Sequence, residues 1–315
     1  MDGEALTIRP AVPDDRPGIL RLAGAALGWA ADERDRAFFT WKHDDNPFGP
    51  SPAWVATDDD RIVGFRTFLR WELVLGVERL RMVRAVDTAT DPEHQGKGIF
   101  RLLTLRAVAE LTEAGYDAVY NTPNTQSRPG YLKMGWVELG RPVLGARPRG
   151  IRAGTRMARS REAAQKWSEP TTVGRPALEV LNTKGLESLL ATLPPPPGWA
   201  TRRSPEYLRW RYGFEPLHYR VTEVRGGLAV FRVRRRGPSR EVAVCEWLAP
   251  GPDRPALRRL VDAAGDYAVA CGLGPAHGLL PLPRQGPVVT WRPLARPGVP
   301  RLEDVTFGLG DLELF

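Results

Sequence analysis

Apolar and polar residues alternate singly along several short stretches of the first 145 residues, a pattern typical of β-strands with one buried face. Two of these stretches, 54–57 and 61–66, are separated only by the turn-forming run Asp58, Asp59 and Asp60, which predicts a β-hairpin. The predicted strands of this region are, in chain order, 6–10, 54–57, 61–66, 71–75, 80–90 and 117–121.

Apolar residues at helical spacing lie between these strands. The clearest case is 98–114, where Ile99, Leu103 and Leu111 fall on one face and Gly115 follows at a position where many helices end. Strands that alternate with helices in this way indicate an α/β fold. The remaining predicted helices begin near Asp14 or Asp15 and cover 36–42 and 129–134.

The second half of the chain repeats features of the first. Trp41 and Trp210 are 169 residues apart, as are Pro47 and Pro216. A period of this length indicates a duplicated domain rather than a solenoid. The matching elements of the second half are predicted to be a strand at 178–180, a hairpin around 226–227 and a helix at 255–270.

The segment between the two halves differs from both in composition. It carries repeated arginines with little apolar periodicity, which is typical of a solvated linker and less often of a specific anion site. We therefore expect three parts: a domain at 1–145, an arginine-rich linker at 146–176 with at most one short helix, and a degenerate second domain at 177–315.

The composition narrows the class of protein. The chain has 315 residues with 42% hydrophobic and 26% charged, values typical of a globular protein of two domains. No apolar run is long enough to span a membrane, and the acidic start MDGE is unlike a secretory signal. Cys245 and Cys271 have no metal-ligand spacing, so no metal site is expected, and a reducing cytoplasm fits best.

The net charge of +8 is weak evidence for a nucleic-acid partner. Only five of the 45 basic residues are lysines, and the abundance of Arg together with Ala, Gly and Pro suggests a GC-rich coding bias. No helix-turn-helix, zinc or RNA-binding signature accompanies the arginines. A solvated surface with one anionic ligand is favoured, and the oligomeric state is left open.

The strongest local signal for chemistry lies between the predicted strand 80–90 and the predicted helix 98–114. Glycines that follow a strand and begin a helix leave backbone N–H groups uncovered, and these bind anions together with the helix dipole. A phosphate or pyrophosphate is the natural ligand, and a tight turn that needs glycine is the structural alternative. The spacing is neither a Walker loop nor a GxGxxG. The segment is Thr88, Ala89, Thr90, Asp91, Pro92, Glu93, His94, Gln95, Gly96, Lys97, Gly98 and Ile99.

Two motifs of this region resemble those of the GNAT acyltransferase superfamily. The run from Gln95 to Phe100 is similar to motif A, Gln/Arg-x-x-Gly-x-Gly/Ala, except that Phe100 stands where the family has a small residue. Downstream, Asn124, Tyr131 and the pair Gly135 and Trp136 resemble motif B. The resemblance covers about residues 5 to 142. It implies a GNAT fold, a mixed and mostly antiparallel sheet flanked by helices, with a duplicated second copy that lacks the glycine loop.

The resemblance also implies a function and roles for site residues. Acetyl-CoA or another acyl-CoA would lie where strand 86–90 diverges from strand 117–121, and its acyl group would pass directly to an amine in a ternary complex. Backbone groups of Thr88 and Thr90 would bind pantetheine, and an N–H near Ala89 would bind the thioester carbonyl. The amides that would bind the pyrophosphate belong to Gln95, Gly96, Lys97, Gly98, Ile99 and Phe100, with Asn124 nearby.

Tyr131 matches the position that protonates the leaving thiolate, with a core hydroxyl as the alternative role. Asp87 is unusual in an apolar strand and is a second catalytic candidate. It could be a base, an anchor for the substrate amine, or a structural carboxylate paired with an arginine such as Arg84. His43 and Glu72 are further base candidates.

The leading hypothesis is therefore an N-acyltransferase whose acceptor is a small-molecule or peptide primary amine. A catalytically silent CoA-binding sensor or scaffold is the alternative from another class, because Phe100 departs from the motif and the base is not identified. A nucleic-acid-associated protein that uses the arginine-rich segment ranks last.

Overall fold

The computed structural model describes residues 6–30, 32–160 and 162–313. The chain divides into two compact units. The first contains the residues up to Leu139 together with Val288–Pro300, and the second contains Gly140–Pro287 together with the residues from Arg301 onward. Each unit has a mixed, mostly antiparallel sheet with helices, so the predicted α/β class and the duplication are confirmed.

The first unit is built on a sheet in the order β1-β2-β3-β4-β5-β15-β6. Strands β4 and β5 run parallel in this sheet, and the long antiparallel β3–β4 hairpin provides its centre. Its elements are β1 (Thr7–Pro10), α1 (Arg16–Leu27), α2 (Glu33–His43), β2 (Ala53–Asp58), β3 (Arg61–Leu75), β4 (Glu78–Thr90), α3 (Ile99–Glu113), β5 (Ala118–Asn121), α4 (Arg128–Lys133), β6 (Val137–Gly140) and, from far along the chain, β15 (Val289–Pro293).

Helix α3 covers one face of this sheet because its apolar residues repeat at helical spacing. Ile99, Leu103 and Leu111 are buried there, as predicted, against residues of β3 and β4 such as Phe68 and Val83. Burying apolar side chains of this size contributes roughly 1.5–3 kcal/mol each. The packing fixes the N-terminus of α3 at the end of β4.

The second unit repeats the arrangement with the order β8-β10-β11-β12-β13-β7-β14. Strands β12 and β13 are its parallel pair, at the place that β4 and β5 hold in the first unit. Its elements are β7 (Leu144–Pro148), α5 (Ile151–Arg159), β8 (Arg175–Pro176), α6 (Ala177–Leu181), α7 (Gly185–Thr192), β9 (Trp199–Thr201), α8 (Pro205–Gly213), β10 (Arg220–Val224), β11 (Gly227–Arg236), β12 (Ser239–Leu248), α9 (Arg254–Ala264), β13 (Tyr267–Cys271), β14 (Leu280–Leu282), β16 (Val305–Thr306) and α10 (Leu309–Leu312).

The sixth strand of each sheet comes from the other part of the chain. In the first unit β15 lies beside β5, where Thr290 pairs with Asn121 and Trp291 with Tyr120. In the second unit β7 lies beside β13, although in sequence it follows directly after the first unit's strands. The two sequence halves have therefore exchanged equivalent strands.

This exchange changes the boundaries that the sequence suggested. The segment 146–176, expected to be a linker, contains most of β7 and the helix α5, and both belong to the second unit. The run Val288–Pro300, expected in the second domain, belongs to the first unit. The bounds of the compact units differ from 145 and 177 because strands far apart in the sequence pair with each other, and local composition does not show such pairing.

Three predicted elements also differ. The strands 61–66 and 71–75 are one continuous strand, β3, which is buried along most of its length. Residues 178–180 are helical, because the edge strand ends at Pro176 directly before them. The predicted helix 255–270 ends at Ala264, and the buried run Tyr267–Cys271 is the strand β13.

The exchanged strand gives a test of the fold. A fragment of residues 1–139 should aggregate, because the outer edge of β5 then has no partner. The same fragment joined through a flexible linker to residues 288–300 should be monomeric and unfold cooperatively, as measured by size-exclusion chromatography and circular dichroism. A fusion carrying Val289→Asp and Trp291→Asp is the control and should behave like the short fragment. Equal behaviour of all three fragments would contradict the exchange.

Candidate functional site

Strands β4 and β5 diverge at one end, and this divergence forms the candidate site. They pair in parallel at three positions, the last of which joins Arg84 to Tyr120. Beyond that level β4 continues to Thr90 in register with β3 alone, and β5 ends at Asn121. The arrangement leaves the backbone of Thr88 and Thr90 on the side away from β3 facing the gap, as the resemblance implied.

A β-bulge in β4 lies at the mouth of this gap. Arg66 of β3 pairs with Thr88, and Thr67 pairs with Val86, so Asp87 is an extra residue without a cross-strand partner. Bulges bend a strand and increase its local twist. The bulge thus coincides with the part of β4 that no longer pairs with β5.

The side chain of Asp87 binds two buried residues of α2. Its Oδ2 lies 2.8 Å from Nζ of Lys42 and 2.8 Å from Nε2 of His43. Because a carboxylate only accepts hydrogen bonds, Nε2 carries the proton, and Nδ1 of His43 accepts from the Ser51 hydroxyl at 3.0 Å. The bulge is therefore fixed to helix α2 by a buried cluster of alternating donors and acceptors.

The electrostatics of the cluster determine its protonation. Burial alone would raise the pKa of Asp87, but the Lys42 ammonium and the hydrogen bond from His43 outweigh it and hold the pKa of this carboxyl far below its ordinary value. Burial lowers the pKa of His43 more than Asp87 raises it. At neutral pH the cluster accordingly holds an ammonium, a carboxylate and a neutral imidazole.

This geometry bears on the three roles considered for Asp87. A carboxylate with such a low pKa is a poor proton acceptor, so the arrangement favours a structural carboxylate over a base. The arginine offered as an example of a partner in that third role lies over aromatic rings: the guanidinium of Arg84 is 4.9 Å from the ring centre of Trp71 and 4.6 Å from that of Tyr120. Lysine and histidine from α2 take its place, which local sequence could not show.

The glycine loop between β4 and α3 has the features of an anion site. Gly96 and Gly98 have φ angles of +78° and +76°, a conformation that favours glycine. A Cβ on either would meet nothing within 4 Å, so both open away from the protein. Gly98 precedes α3 and has no side chain to cap that helix. Within the described residues, no side-chain acceptor is recorded for the first N–H groups of this 15-residue helix, which fits a phosphate ligand.

Contacts on the protein side hold this loop in place. Asp91 accepts from the N–H of Glu93 at 3.0 Å and from Nη2 of Arg61 at 2.5 Å. Nε2 of His94 lies 2.8 Å from Oδ2 of Asp58. These bonds connect the loop to the β2–β3 hairpin, so its amides are preorganised rather than mobile.

The other residues singled out in the loop are divided between core and surface. Ile99 and Ala89 are buried in the core, so only their backbone groups are available to a ligand. The Thr88 hydroxyl donates to the carbonyl of Phe65 at 3.0 Å. Gln95 and Lys97 are exposed, and Thr90 is half-buried.

Tyr131 of α4 lies buried behind the loop. Its hydroxyl accepts a hydrogen bond of 2.6 Å from Nη2 of Arg66. The ring of Phe100 meets the Tyr131 ring edge-on, with centres 5.5 Å apart, and lies close to Gly130. The phenyl group is therefore directed at α4, which answers how a large residue fits at this motif position.

Asn124 forms a turn at the start of α4. Its Oδ1 accepts from the N–H of Gln126 at 3.1 Å and from the N–H and hydroxyl of Ser127 at 2.8 and 3.0 Å. These bonds suit the turn role that the sequence left open as an alternative. Arg66 and Ser51 were not singled out from the sequence. The signal for Arg66 was a charge two residues from both Gly64 and Phe68, which are buried on the same face of the strand.

Within residues 6–30, 32–160 and 162–313, no three His, Cys, Asp or Glu side chains come together as a metal site would require. No helix in that part of the chain is long and apolar enough to cross a membrane.

A parallel strand pair that diverges, followed by a glycine loop and a helix, is the arrangement that the resemblance to the GNAT superfamily implies. Residues 7–138 match the family model described as an acetyltransferase (GNAT) domain. The chain is similar to the mycothiol acetyltransferases of Nocardia farcinica, with 31% identity over 39% of this chain and 42% of the relative, and of Rhodococcus jostii, with 30% identity over 34% and 36%. The matches thus span about two fifths of those relatives.

Solved structures share the fold over nearly the whole chain. A probable N-acyltransferase from Enterococcus faecalis covers 92% of this chain and 73% of its own, with a TM-score of 0.62 at 12% identity. A GCN5-related N-acetyltransferase from Kribbella flavida covers 92% and 72%, with a TM-score of 0.57 at 16% identity. At these identities the likeness concerns the fold.

The buried imidazole predicts a pH dependence of stability. Unfolded His43 takes up a proton near its ordinary pKa of 6.5, whereas the folded imidazole stays neutral, so the free energy of unfolding should fall as the pH drops below that value. One such proton contributes at most about 1.4 kcal/mol per pH unit. In urea titrations at several pH values, His43→Gln should reduce this slope.

Phe39→Leu is the matched control for that measurement. It alters the ring that lies 4.5 Å from the imidazole centre and destabilises the same region, but it leaves the titrating group in place. Its slope should equal that of the unaltered protein. Equal slopes for His43→Gln and the unaltered protein would contradict a neutral, buried His43.

Proposed function

We propose that this chain transfers an acyl group from acetyl-CoA or another acyl-CoA to a primary amine, in the gap between β4 and β5 of its first unit. The observation that supports this most directly is the loop at Gly96 and Gly98, where an added Cβ would meet nothing within 4 Å, at the end of a strand that has left its parallel partner. That combination places an anion site directly after an extended backbone edge, which suits a phosphate attached to a linear arm.

Each part of the gap would then have a role. The amides of residues 95–100 bind the pyrophosphate, and the free backbone edge of Thr88 and Thr90 binds the pantetheine arm as an added strand. An N–H near Ala89 on the open edge of β4 donates to the thioester carbonyl, where negative charge develops as the amine attacks. The chemistry that acyl-CoA supplies is an activated thioester, and a small-molecule or peptide amine accepts its acyl group.

Tyr131 and Asp87 complete the proposed site in different ways. Tyr131 protonates the leaving sulfur with its hydroxyl. Asp87 acts as a positioning residue: bound by Lys42 and His43, it holds the bulge next to Thr88, whose backbone lies on the open edge of β4. The acceptor amine reaches the site already neutral or gives its proton to water.

The second unit supports the proposal of a single acyl-CoA site per chain, because α9, its counterpart of α3, has a capped N-terminus. Asp253 precedes α9 and accepts from the N–H of Ala256 at 3.1 Å and from the N–H of Arg225 at 2.9 Å. These backbone bonds lower the pKa of Asp253, so a carboxylate permanently occupies the place of the anion. In the first unit the corresponding residue is Gly98, without a side chain.

The gap of the second unit is also filled by its own chain. Pairing of β12 with β13 ends at the residue before Cys245. A Cβ on Gly308 or Gly310 would lie 3.2 or 3.1 Å from the carbonyl oxygen of Cys245, and one on Gly272, next after β13, would lie 2.9 Å from that of Phe307. The segment around α10 therefore contacts both diverging strands where an acyl-CoA arm would lie in the first unit.

A CoA-binding sensor without turnover is the second candidate. The observation that favours it is the low exposure of the His43 and Asp87 side chains, 3% and 9%, which leaves the acceptor amine without an accessible base in the cluster. Micromolar binding of acetyl-CoA without transfer to any amine would support this alternative.

The glycine loop gives the first test. Gly98→Ala should weaken acetyl-CoA binding at least tenfold in calorimetric titration, because a Cβ there points into the anion site and left-handed backbone costs about 1–2 kcal/mol in other residues. The control is Gly28→Ala, which has a φ angle of +69° and nothing within 4 Å of the added Cβ. It carries similar backbone strain at the end of α1 and should bind normally. No binding by the unaltered protein would overturn the proposal.

The stoichiometry gives the second test. Titration of the full chain should show one acetyl-CoA per molecule. Asp253→Ala, which removes the α9 cap at a cost of about 1 kcal/mol of stability, should leave that number at one because the segment around α10 still fills the second gap. Two equivalent binding events would show that the second unit retains a site.

A further inference from the structure

Arg66 is a buried cation among aromatic rings. It lies on β3, is fully buried, and its guanidinium carbon is 4.8 Å from the ring centre of Phe68, 5.1 Å from Phe100 and 5.2 Å from Tyr131. Aromatic faces stabilise a desolvated cation, by about 2 kcal/mol in favourable cases. The three rings together offset part of the free energy needed to bury this charge.

The only hydrogen bond recorded for this guanidinium within the described residues goes to Tyr131. Nη2 donates to the Tyr131 hydroxyl at 2.6 Å, whereas Nε and Nη1 are buried without a hydrogen-bond partner in that part of the chain. Leaving donors of a buried charge unpaired is unfavourable. Arg232 of the second unit is also fully buried, but it has a carboxylate 3.3 Å away.

The duplicated fold shows that the scaffold does not need this charge. In the first unit Arg66 pairs with Thr88, directly beside the bulge. In the second unit the register beside the equivalent bulge pairs Val230 with Glu246. A valine therefore occupies the equivalent position in the second sheet, so the fold alone does not explain the arginine of the first unit.

We propose that Arg66 is a positioning residue for Tyr131, orienting its hydroxyl and balancing the negative charge that forms when Tyr131 protonates the leaving group. This inference rests on the proposed acyl transfer. In that step the carbon–nitrogen bond forms, the carbon–sulfur bond breaks, and the sulfur takes the proton of the Tyr131 hydroxyl. The proton released by the amine passes to solvent, and the Tyr131 phenolate, held beside the Arg66 cation, recovers a proton from solvent.

The geometry explains how Arg66 would set the direction of the proton. A tyrosine hydroxyl has one proton to donate and two lone pairs, and a guanidinium can only donate. Because an N–H of Arg66 occupies one lone pair, the hydroxyl proton must point elsewhere, and no acceptor for it is recorded among residues 6–30, 32–160 and 162–313. The proton is thereby kept available for a substrate atom.

Phe100 gains a role in the same arrangement. Its ring contacts both Arg66 and Tyr131 and closes the pair on the side of α3. Excluding water lowers the local dielectric constant, so the cation interacts more strongly with a nascent phenolate. Phe100, the large residue at this motif position, thus shields the buried Arg66 from water.

The test measures thiol release by the full-length protein from acetyl-CoA, with hydroxylamine as a small probe amine and the uncatalysed rate subtracted. Arg66→Met and Tyr131→Phe should each lower kcat by about 100-fold, the size of a general-acid contribution, with KM for acetyl-CoA changed less than about threefold. The double variant should be no slower than either single variant, because both remove the same function. Arg66→Lys should recover part of the loss.

The control is Arg84→Met, which removes another fully buried arginine, one whose recorded aromatic contacts within the described residues are with Trp71 and Tyr120. Its kcat should stay within about threefold of the unaltered value, and its effect should add to that of Tyr131→Phe. Thermal unfolding of every variant checks folding; if Arg66→Met does not fold, Arg66→Lys in the presence and absence of Tyr131→Phe provides the same cycle.

Two results would overturn the inference while leaving the proposed function intact. One is an equal loss of kcat for Arg66→Met in the unaltered and Tyr131→Phe backgrounds, and the other is a kcat for Arg66→Met equal to that of the unaltered protein. If the unaltered protein binds acetyl-CoA but accelerates no thiol release, acyl transfer itself fails, and the inference fails with it.

Discussion

The carboxylate of Asp87 lies 2.8 Å from both an ammonium and an imidazole nitrogen of helix α2, and the candidate site depends on this contact. It fixes one extra residue in β4, and beyond that residue the strand no longer pairs with β5. Breaking a buried charge pair by removing one partner typically destabilises a protein by 3–5 kcal/mol. A strand held by an interaction of that size keeps its backbone edge open without collapsing onto its neighbour.

The two units show which features belong to the scaffold and which to the site. Both sheets have a parallel pair that separates after a few residues, and both have a bulge at that level, at Asp87 and at Cys245. The second unit has Val230, Asp253 and a segment of its own chain where the first has Arg66, Gly98 and an open edge. The separation and the bulge are thus properties of the fold, whereas charge and exposed amides distinguish the first unit.

The sequence predicted best those features that are encoded locally. The glycine loop, helix α3 and the Tyr131 segment each lie within a few residues of the pattern that indicates them, and the fold class followed from their order. The partners of Asp87 lie more than 40 residues away on α2, and a carboxylate's partner cannot be deduced from neighbours in the chain. Arg66 was missed for the same reason, since its importance lies in what α3 and α4 place around it.

The strand exchange has a consequence for how the molecule is made. Asn121 at the end of β5 hydrogen-bonds to Thr290, a residue 169 positions later. During synthesis domains usually fold from the N-terminus as they emerge, at about 5–20 residues per second. Here the first sheet lacks this strand until residues 289–293 have left the ribosome. At the quoted rate the nascent chain spends roughly 10–30 seconds with β5 as an unpaired edge, a period in which a chaperone that covers exposed strands would matter most.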